Sequence, residues 1–263
     1  MTIEMISFLL LTLLFIVSYL GFWQGRGTEN FYTSKPTYIS HRGFTKNNPE
    51  NTIEAFKEAE SLGFQGIEVD IIASKDGVLY CSHNHQLDQE TNYSGSIDKM
   101  LSDELDNIKT GFFSHPQNQQ KVPRLSNVIE NISKDMIINI EIKFSSYFDL
   151  STTFALRRFL KNNKIKHRIL ISSFNPLIVL FSRWLIPSTR TGFLFESENM
   201  KKWINFCHPD TVHPRIDFLD EDIIKWCKAK NLPINVWTVN SEINIEKCKD
   251  LGVHGIITDL EKI

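Results

Sequence analysis

Apolar residues are unevenly spread along this chain. From Ile6 to Trp23 no residue is charged (ISFLLLTLLFIVSYLGFW). A helix of that length runs about 27 Å at 1.5 Å per residue, against a bilayer core of roughly 30 Å. The pattern predicts one helix able to span a membrane, with Tyr19 and Trp23 near its end, where amphipathic rings favour the interface. The competing reading is a cleaved signal peptide. Glu4, the lack of Lys or Arg before the apolar run and the lack of an A-x-A site after it favour a retained anchor over residues 1–24. Arg26 and Lys35 follow the span, so the charge bias leans toward a cytoplasmic catalytic domain. One or two charges leave the membrane side open.

After a polar linker, 25–36, short β-rich runs alternate with helical patterns. The candidate strands are Tyr38–His41, Ile67–Ile72, Val78–His83, Ile137–Ile142, Ile169–Ser173, Thr191–Phe195, Thr211–His213, Ile234–Thr238 and Gly255–Thr258. Helical periodicity marks Thr52–Leu62, with Asn51 as its expected cap, and Phe154–Asn162, Asn199–Phe206, Glu221–Lys230 and Ile243–Leu251. Such alternation predicts a parallel sheet, and about eight repeats predict an α/β protein whose residues 37–263 form one closed (β/α)8 barrel. The candidates number one more than the barrel's places, so at least one of them is not a strand or lies outside the barrel.

One link breaks the alternation. Ala73–Gly77 is too short for a crossover helix. Asp76-Gly77 between two β-rich runs predicts a two-residue hairpin turn. That register would set Ile72 opposite Cys81, and Asp70 opposite His83. Residues 86–124 are polar and lack a steady period, which predicts an excursion over one end of the barrel.

Composition narrows the class. The 263 residues are 41% hydrophobic and 23% charged, with a net charge of −2. This excludes a disordered chain, and it argues against a nucleic-acid partner held by bulk charge. The four cysteines form no C-x-x-C pair, so buried, reduced thiols are expected.

The chemistry-bearing residues sit in or at the ends of β-rich runs. Glu68 and Asp70 are two apart in Gly66-Ile67-Glu68-Val69-Asp70, so a strand points both to one face. Glu141 is a third charge inside an apolar strand pattern, Ile138-Asn139-Ile140-Glu141-Ile142. Buried carboxylates must be paired or bound to metal. With no Cys/His ligand set, the reading is either rim salt bridges or a hard divalent cation such as Mg²⁺ or Ca²⁺. His41 and His83 end two candidate strands and could exchange protons near neutral pH. Arg42 and Lys143 are cations of the kind that grip phosphate.

Taken in order, several motifs resemble the glycerophosphodiester phosphodiesterase family: His41-Arg42-Gly43, Pro49-Glu50-Asn51-Thr52, Glu68-Val69-Asp70, Lys75-Asp76-Gly77, His83, Val122-Pro123-Arg124-Leu125 and Glu141-Ile142-Lys143. Ser172-Ser173-Phe174-Asn175, Val236-Trp237-Thr238-Val239-Asn240 and Gly255-Ile256-Ile257-Thr258-Asp259 continue the resemblance. It implies a phospholipase-C-like TIM barrel that hydrolyses glycerophosphodiesters to glycerol 3-phosphate and an alcohol with a divalent metal, Mn²⁺ included among the candidates. It implies metal ligation by Glu68, Asp70 and Glu141, and acid/base roles for His41 and His83. It further implies substrate contacts from Arg42, Lys143 and Trp237, with Glu50 orienting Arg42. Two alternatives accompany it. One is a lysophospholipase D acting on membrane lysophospholipids to give lysophosphatidic acid, and the other is an inactive membrane-anchored binding protein. The chain departs from the family pattern at Asn84, where an Asp usually follows the histidine.

Overall fold

The computed structural model describes residues 3–28, 30–32 and 34–261. Eight parallel strands form the barrel: β1 (Thr37–Ser40), β2 (Gly66–Ala73), β3 (Ile137–Ile142), β4 (Arg168–Ser173), β5 (Arg190–Phe195), β6 (Thr211–Pro214), β7 (Asn235–Val236) and β8 (Gly255–Thr258). They neighbour one another in chain order, and β8 returns to pair with β1. Only isolated bridges, Val212 to Ile234 and Arg215 to Trp237, join β6 to β7, so the barrel is nearly closed. The expected Ile234–Thr238 strand is accordingly reduced to Asn235–Val236.

Alternation along the strands sorts the side chains. Ile67, Val69 and Ile71 of β2 and Ile138, Ile140 and Ile142 of β3 join the apolar layer beneath the helices. Their neighbours Glu68, Asp70, Asn139 and Glu141 therefore face the lumen. Both strands are buried along their whole length, so the acids pass inside an otherwise apolar run. At the end where the strands begin, Phe31 closes the lumen against Ile137 and Leu170.

The candidate Val78–His83 is the one outside the barrel: it shortens to Leu79–Cys81, an antiparallel ribbon on β2. Its turn has three residues rather than two. Ser74 N donates to Val78 O at 2.8 Å, and Gly77 takes a φ of +79°, which a left-handed residue after a type I turn requires. The register slips by one, pairing Ile71 with Cys81 and Ile72 with Tyr80. Asp70 thus stands opposite Ser82, whose N donates to Asp70 O at 3.1 Å, and not opposite His83.

The helical expectations hold with local corrections. Helix Ile53–Ser61 is capped by Thr52, because Asn51 is in the left-handed region and turns its amide to Asp70. Residues 199–206 do not form one helix but fall into two short turns, Glu198–Lys201 and Ile204–Cys207. Helix Pro176–Leu185 was not singled out by periodicity, since most of its face is apolar, although Asn175 caps it and Pro176 opens it. The four cysteines are buried and free.

The N-terminal helix is Ile3–Gly21, and Glu4–Gly21 is long and apolar enough to cross a membrane. Trp23 lies beyond the helix and is buried on the barrel, so it is not the interfacial ring expected from the sequence. In the segment read as a linker, Gly25, Arg26, Gly27, Phe31 and Tyr32 are bonded to the barrel. Arg26 Nε donates to Asp210 Oδ1 at 2.9 Å, and Gly25 N donates to Lys230 O at 3.0 Å.

Candidate active site

All strand ends open on one face of a parallel barrel, and the loops after them build its mouth. The register sets Asp70 beside Glu141 on β2 and β3, with Glu68 one step deeper beside Asn139. One oxygen from each of Glu68, Asp70 and Glu141 falls within 4.8 Å of the others, and all three residues are buried. This cluster could hold a metal ion. The donor set is all carboxylate, the kind that suits a hard divalent cation. Glu68 Oε1 and Asp70 Oδ1 are buried without a hydrogen bond, which leaves acceptor capacity free on two of the three acids. On both counts the residues fit such a cation.

Two cations flank the acids. Arg42 follows β1 at a φ of +55°, a strained turn that brings its backbone N to Glu68 Oε2 (3.0 Å) and its guanidinium to Glu50 Oε2 (2.9 Å) and Asp70 Oδ2 (3.3 Å). Lys143 follows β3 and reaches Glu141 Oε1 at 2.7 Å and Asp70 Oδ1 at 3.5 Å. Glu50 therefore stands where it can orient Arg42. Asn51 completes the set by donating to Asp70 Oδ2 at 2.9 Å and accepting from Asp70 N at 3.0 Å. The sequence reading of Asn51 as a helix cap missed this role, since Thr52 caps the helix instead.

Burial and charge divide the acids. Glu68 is driven well above the usual carboxylate range by burial and then by Asp70 and Glu141. Burial would also raise Asp70, but Lys143, Arg42 and His83 with the Asn51 amide hold it below that range. Burial raises Glu141, and Lys143 offsets part of the rise. For Lys143 the same carboxylates outweigh burial and push it up to about 12, so it stays charged.

The two histidines have different partners. His41 Nδ1 meets Asp259 Oδ1 at 2.7 Å, and Asn240 donates to the other Asp259 oxygen at 2.6 Å. His83 Nδ1 meets Asn84 Oδ1 at 2.9 Å. Burial lowers His83, and Asp70 opposes the shift. So His83 remains within electrostatic reach of Asp70 even though the register differs from the one expected. The sequence reading did not assign roles to Asp259 and Asn240. The signal was present in the closing Thr258-Asp259 motif.

Trp237 lies at the mouth, donating from Nε1 to His213 O at 2.8 Å and meeting Phe174 edge-to-face at 5.2 Å. Tyr147 and Phe148, on the loop after β3, are exposed, Phe148 by 87%. One hollow on the opposite face is lined by Thr28, Tyr32 and His254 among others, and has no carboxylate in its lining.

A (β/α)8 barrel with carboxylates, cations and two histidines at its strand-end mouth is an arrangement suited to phosphoryl hydrolysis. The family model for the "Glycerophosphoryl diester phosphodiesterase family" matches residues 41–260. A glycerophosphodiester phosphodiesterase of Caldanaerobacter subterraneus is 32% identical over 229 residues, covering 86% of this chain and 94% of its own. One from Bacillus altitudinis is 30% identical over 231 residues, covering 84% of this chain and 93% of its own. A phosphodiesterase of Oleispira antarctica, solved with the product sn-glycerol-3-phosphate, superposes with a TM-score of 0.80 at 25% identity, covering 90% of this chain and 96% of its own. The chain belongs to the glycerophosphoryl diester phosphodiesterase family, and with it to the phosphoric diester hydrolases.

Proposed function

We propose that the protein is a membrane-anchored enzyme that hydrolyses glycerophosphodiesters to glycerol 3-phosphate and an alcohol with the help of a divalent cation. The observation that carries this reading is the convergence of Glu68, Asp70 and Glu141 between Arg42 and Lys143. The product bound to the Oleispira relative supports the substrate class. Glu68, Asp70 and Glu141 would hold the cation, with Mg²⁺, Ca²⁺ or Mn²⁺ as candidates. When bound it would supply Lewis-acid polarisation of a phosphoryl oxygen.

The chain's own residues account for the remaining roles. Arg42, fixed by Glu50, and Lys143 grip the phosphate and stabilise charge growing on its oxygens. His83, kept neutral by burial, accepts a proton from the attacking hydroxyl at Nε2, because its Nδ1 is engaged by Asn84. His41, whose Nδ1 is held by Asp259, gives a proton to the leaving alcohol. Trp237 and Phe174 form an apolar wall beside the glycerol or head group.

A second reading is lysophospholipase D action giving lysophosphatidic acid. Exposed Tyr147 and Phe148 beside the mouth favour it, since such rings could meet an acyl chain. The anchor reading is supported by Tyr19, the last full turn of the apolar helix, which donates to Phe206 O at 2.9 Å and so continues into the fold. The domain division proposed is 1–24 anchor, 25–36 connecting segment and 37–263 barrel.

The test is head-group release by the full chain in detergent, from glycerophosphocholine and from lysophosphatidylcholine, with Mg²⁺, Ca²⁺ and Mn²⁺ in turn. Metal-dependent release from the acyl-free diester, lost in Glu68→Ala, is the expected result. Unchanged activity in Glu68→Ala sinks the ligand assignment, and no release from either diester leaves the binding-protein alternative.

A further inference from the structure

We infer that the membrane helix is clamped to the barrel face opposite the catalytic mouth, so that the enzyme works on diesters dissolved in water and not on lysolipids of its own bilayer. This rests on the anchor reading above and specifies its substrate class.

The segment that leaves the helix is bonded to the barrel at several points. Gly21 O accepts from Lys230 Nζ at 2.6 Å. Trp23 Nε1 donates to Asn205 Oδ1 at 3.1 Å, and its ring stacks on His208 at 4.6 Å. Arg26 bonds Pro187 O and Thr189 O at 2.9 Å each, besides its pair with buried Asp210, which Arg183 also holds. Gly27 O accepts from Arg190 at 2.8 Å, and Phe31 O from Arg168 at 2.6 Å. Tyr32 OH accepts from Asn235 Nδ2 at 2.9 Å.

Each of these partners stands just before a strand or at its first residue: 187–190 before β5, 205–210 before β6, 230 before β7, and Arg168 and Asn235 at the starts of β4 and β7. In a parallel barrel all strand starts share one face. The proposed site residues 41–51, 83–84, 141–143, 237 and 259 stand at or after strand ends, on the other face, and Asp70, inside β2, is paired in register with Glu141 near the end of β3.

The clamp allows little slack. Of residues 21–27, Gly21, Trp23, Gly25, Arg26 and Gly27 are all bonded to the barrel. From Glu4 to Ser18, by contrast, every residue is exposed, so the helix leaves the barrel surface at this foot. The mouth is then one barrel height away, roughly 18 Å taking the twelve-residue helix Ser151–Asn162 as a gauge at 1.5 Å per residue. A lysolipid in the same bilayer would have to leave the membrane to reach it, whereas a soluble diester would not.

The experiment uses the full chain in phosphatidylcholine nanodiscs. Since the native cysteines are buried, Ser188→Cys and Ser146→Cys can each carry a fluorescent donor, one on the strand-start face and one beside the mouth. Energy transfer to an acceptor on the lipid head group should be stronger from 188 than from 146. Equal transfer, or stronger transfer from 146, overturns the orientation whatever the enzyme's activity. A chain that does not enter discs overturns the anchor and this inference together.

Activity gives the second arm. Wild type should release choline from dissolved glycerophosphocholine equally in discs and in detergent. A Gly/Ser insertion of about 20 residues between Gly21 and Phe22 spans roughly 25 Å and frees the barrel to turn. It should raise hydrolysis of disc-borne long-chain lysophosphatidylcholine by at least ~10-fold, with the soluble diester unaffected. Wild type cleaving the disc-borne lysolipid as fast as the insertion variant overturns the substrate assignment.

Discussion

Replacing Glu68 by Gln is expected to stabilise the metal-free protein at neutral pH and to abolish most of the further stabilisation that a divalent cation gives. The Glu68 carboxylate is buried, takes one hydrogen bond from Arg42 N, and has its other oxygen unpartnered. Its nearest rivals, Asp70 and Glu141, lie within 4.8 Å. Two unit charges at that separation repel by about 3.5 kcal/mol at an effective dielectric of 20. Arg42 and Lys143 oppose three carboxylates with two positive charges, and proton uptake by Glu68 relieves part of the remainder. The net gain for Gln should be about 1–3 kcal/mol, or roughly 2–12 °C in melting temperature for a domain of this size. A cation at a hundred times its Kd should add about 2.7 kcal/mol to wild type. Thermal unfolding of both proteins, in chelator and with saturating Mn²⁺, reads the two quantities. A variant that melts below wild type in chelator, or that gains as many degrees from Mn²⁺, refutes the electrostatic account.

Three other expectations follow from the same geometry. Asp210 is held below the usual carboxylate range, against burial, by Arg26 and Arg183, so its contribution is present above about pH 4 and is lost as the pH falls through its folded value. Asp210→Asn should cost about 3–5 kcal/mol in denaturant unfolding at pH 7 and weaken the acid-induced loss of stability; an unchanged midpoint would count against the clamp. His213 is buried and lowered to about 3, so the unfolded chain binds the extra proton and stability falls as the pH drops below about 6.5. His213→Gln should remove up to ~1.4 kcal/mol per pH unit of that slope between pH 6 and 5, measured by urea unfolding at each pH. Asn84→Asp would set a carboxylate on His83 Nδ1 and should move the acidic limb of the pH–rate profile upward by about a unit, a limb that stays put if His83 does not titrate in turnover.

Much of the site was legible because a strand imposes a period of two. Glu68 and Asp70 had to share a face, and an acid in the buried run of Glu141 had to find company. The hairpin shows the limit of such reading. Asp76-Gly77 serves both a two-residue turn and a three-residue turn with a left-handed Gly, and the choice moved Asp70 from His83 to Ser82. Asn51 is a second case. Its residue type suits a helix cap, but its amide has two faces, and the buried Asp70 carboxylate and amide claim both.

The order of the barrel strands and the acidic, basic and imidazole groups placed at their ends were determined by sequence alone, because periodicity and residue chemistry are local. The apolar helix was equally plain, being a matter of length and charge. The rest depended on contacts between residues far apart in the chain. Asp259 came to His41 across 218 positions, and Arg26 to Asp210 across 184. Closing the barrel brings its last strand beside its first, which supplies the His41 partner. The same closure gathers every strand start on one face, where the segment read as a linker is bound down. Which way the mouth faces relative to the apolar helix is therefore a property of the tertiary structure, since no local pattern tells a loose tether from a clamp.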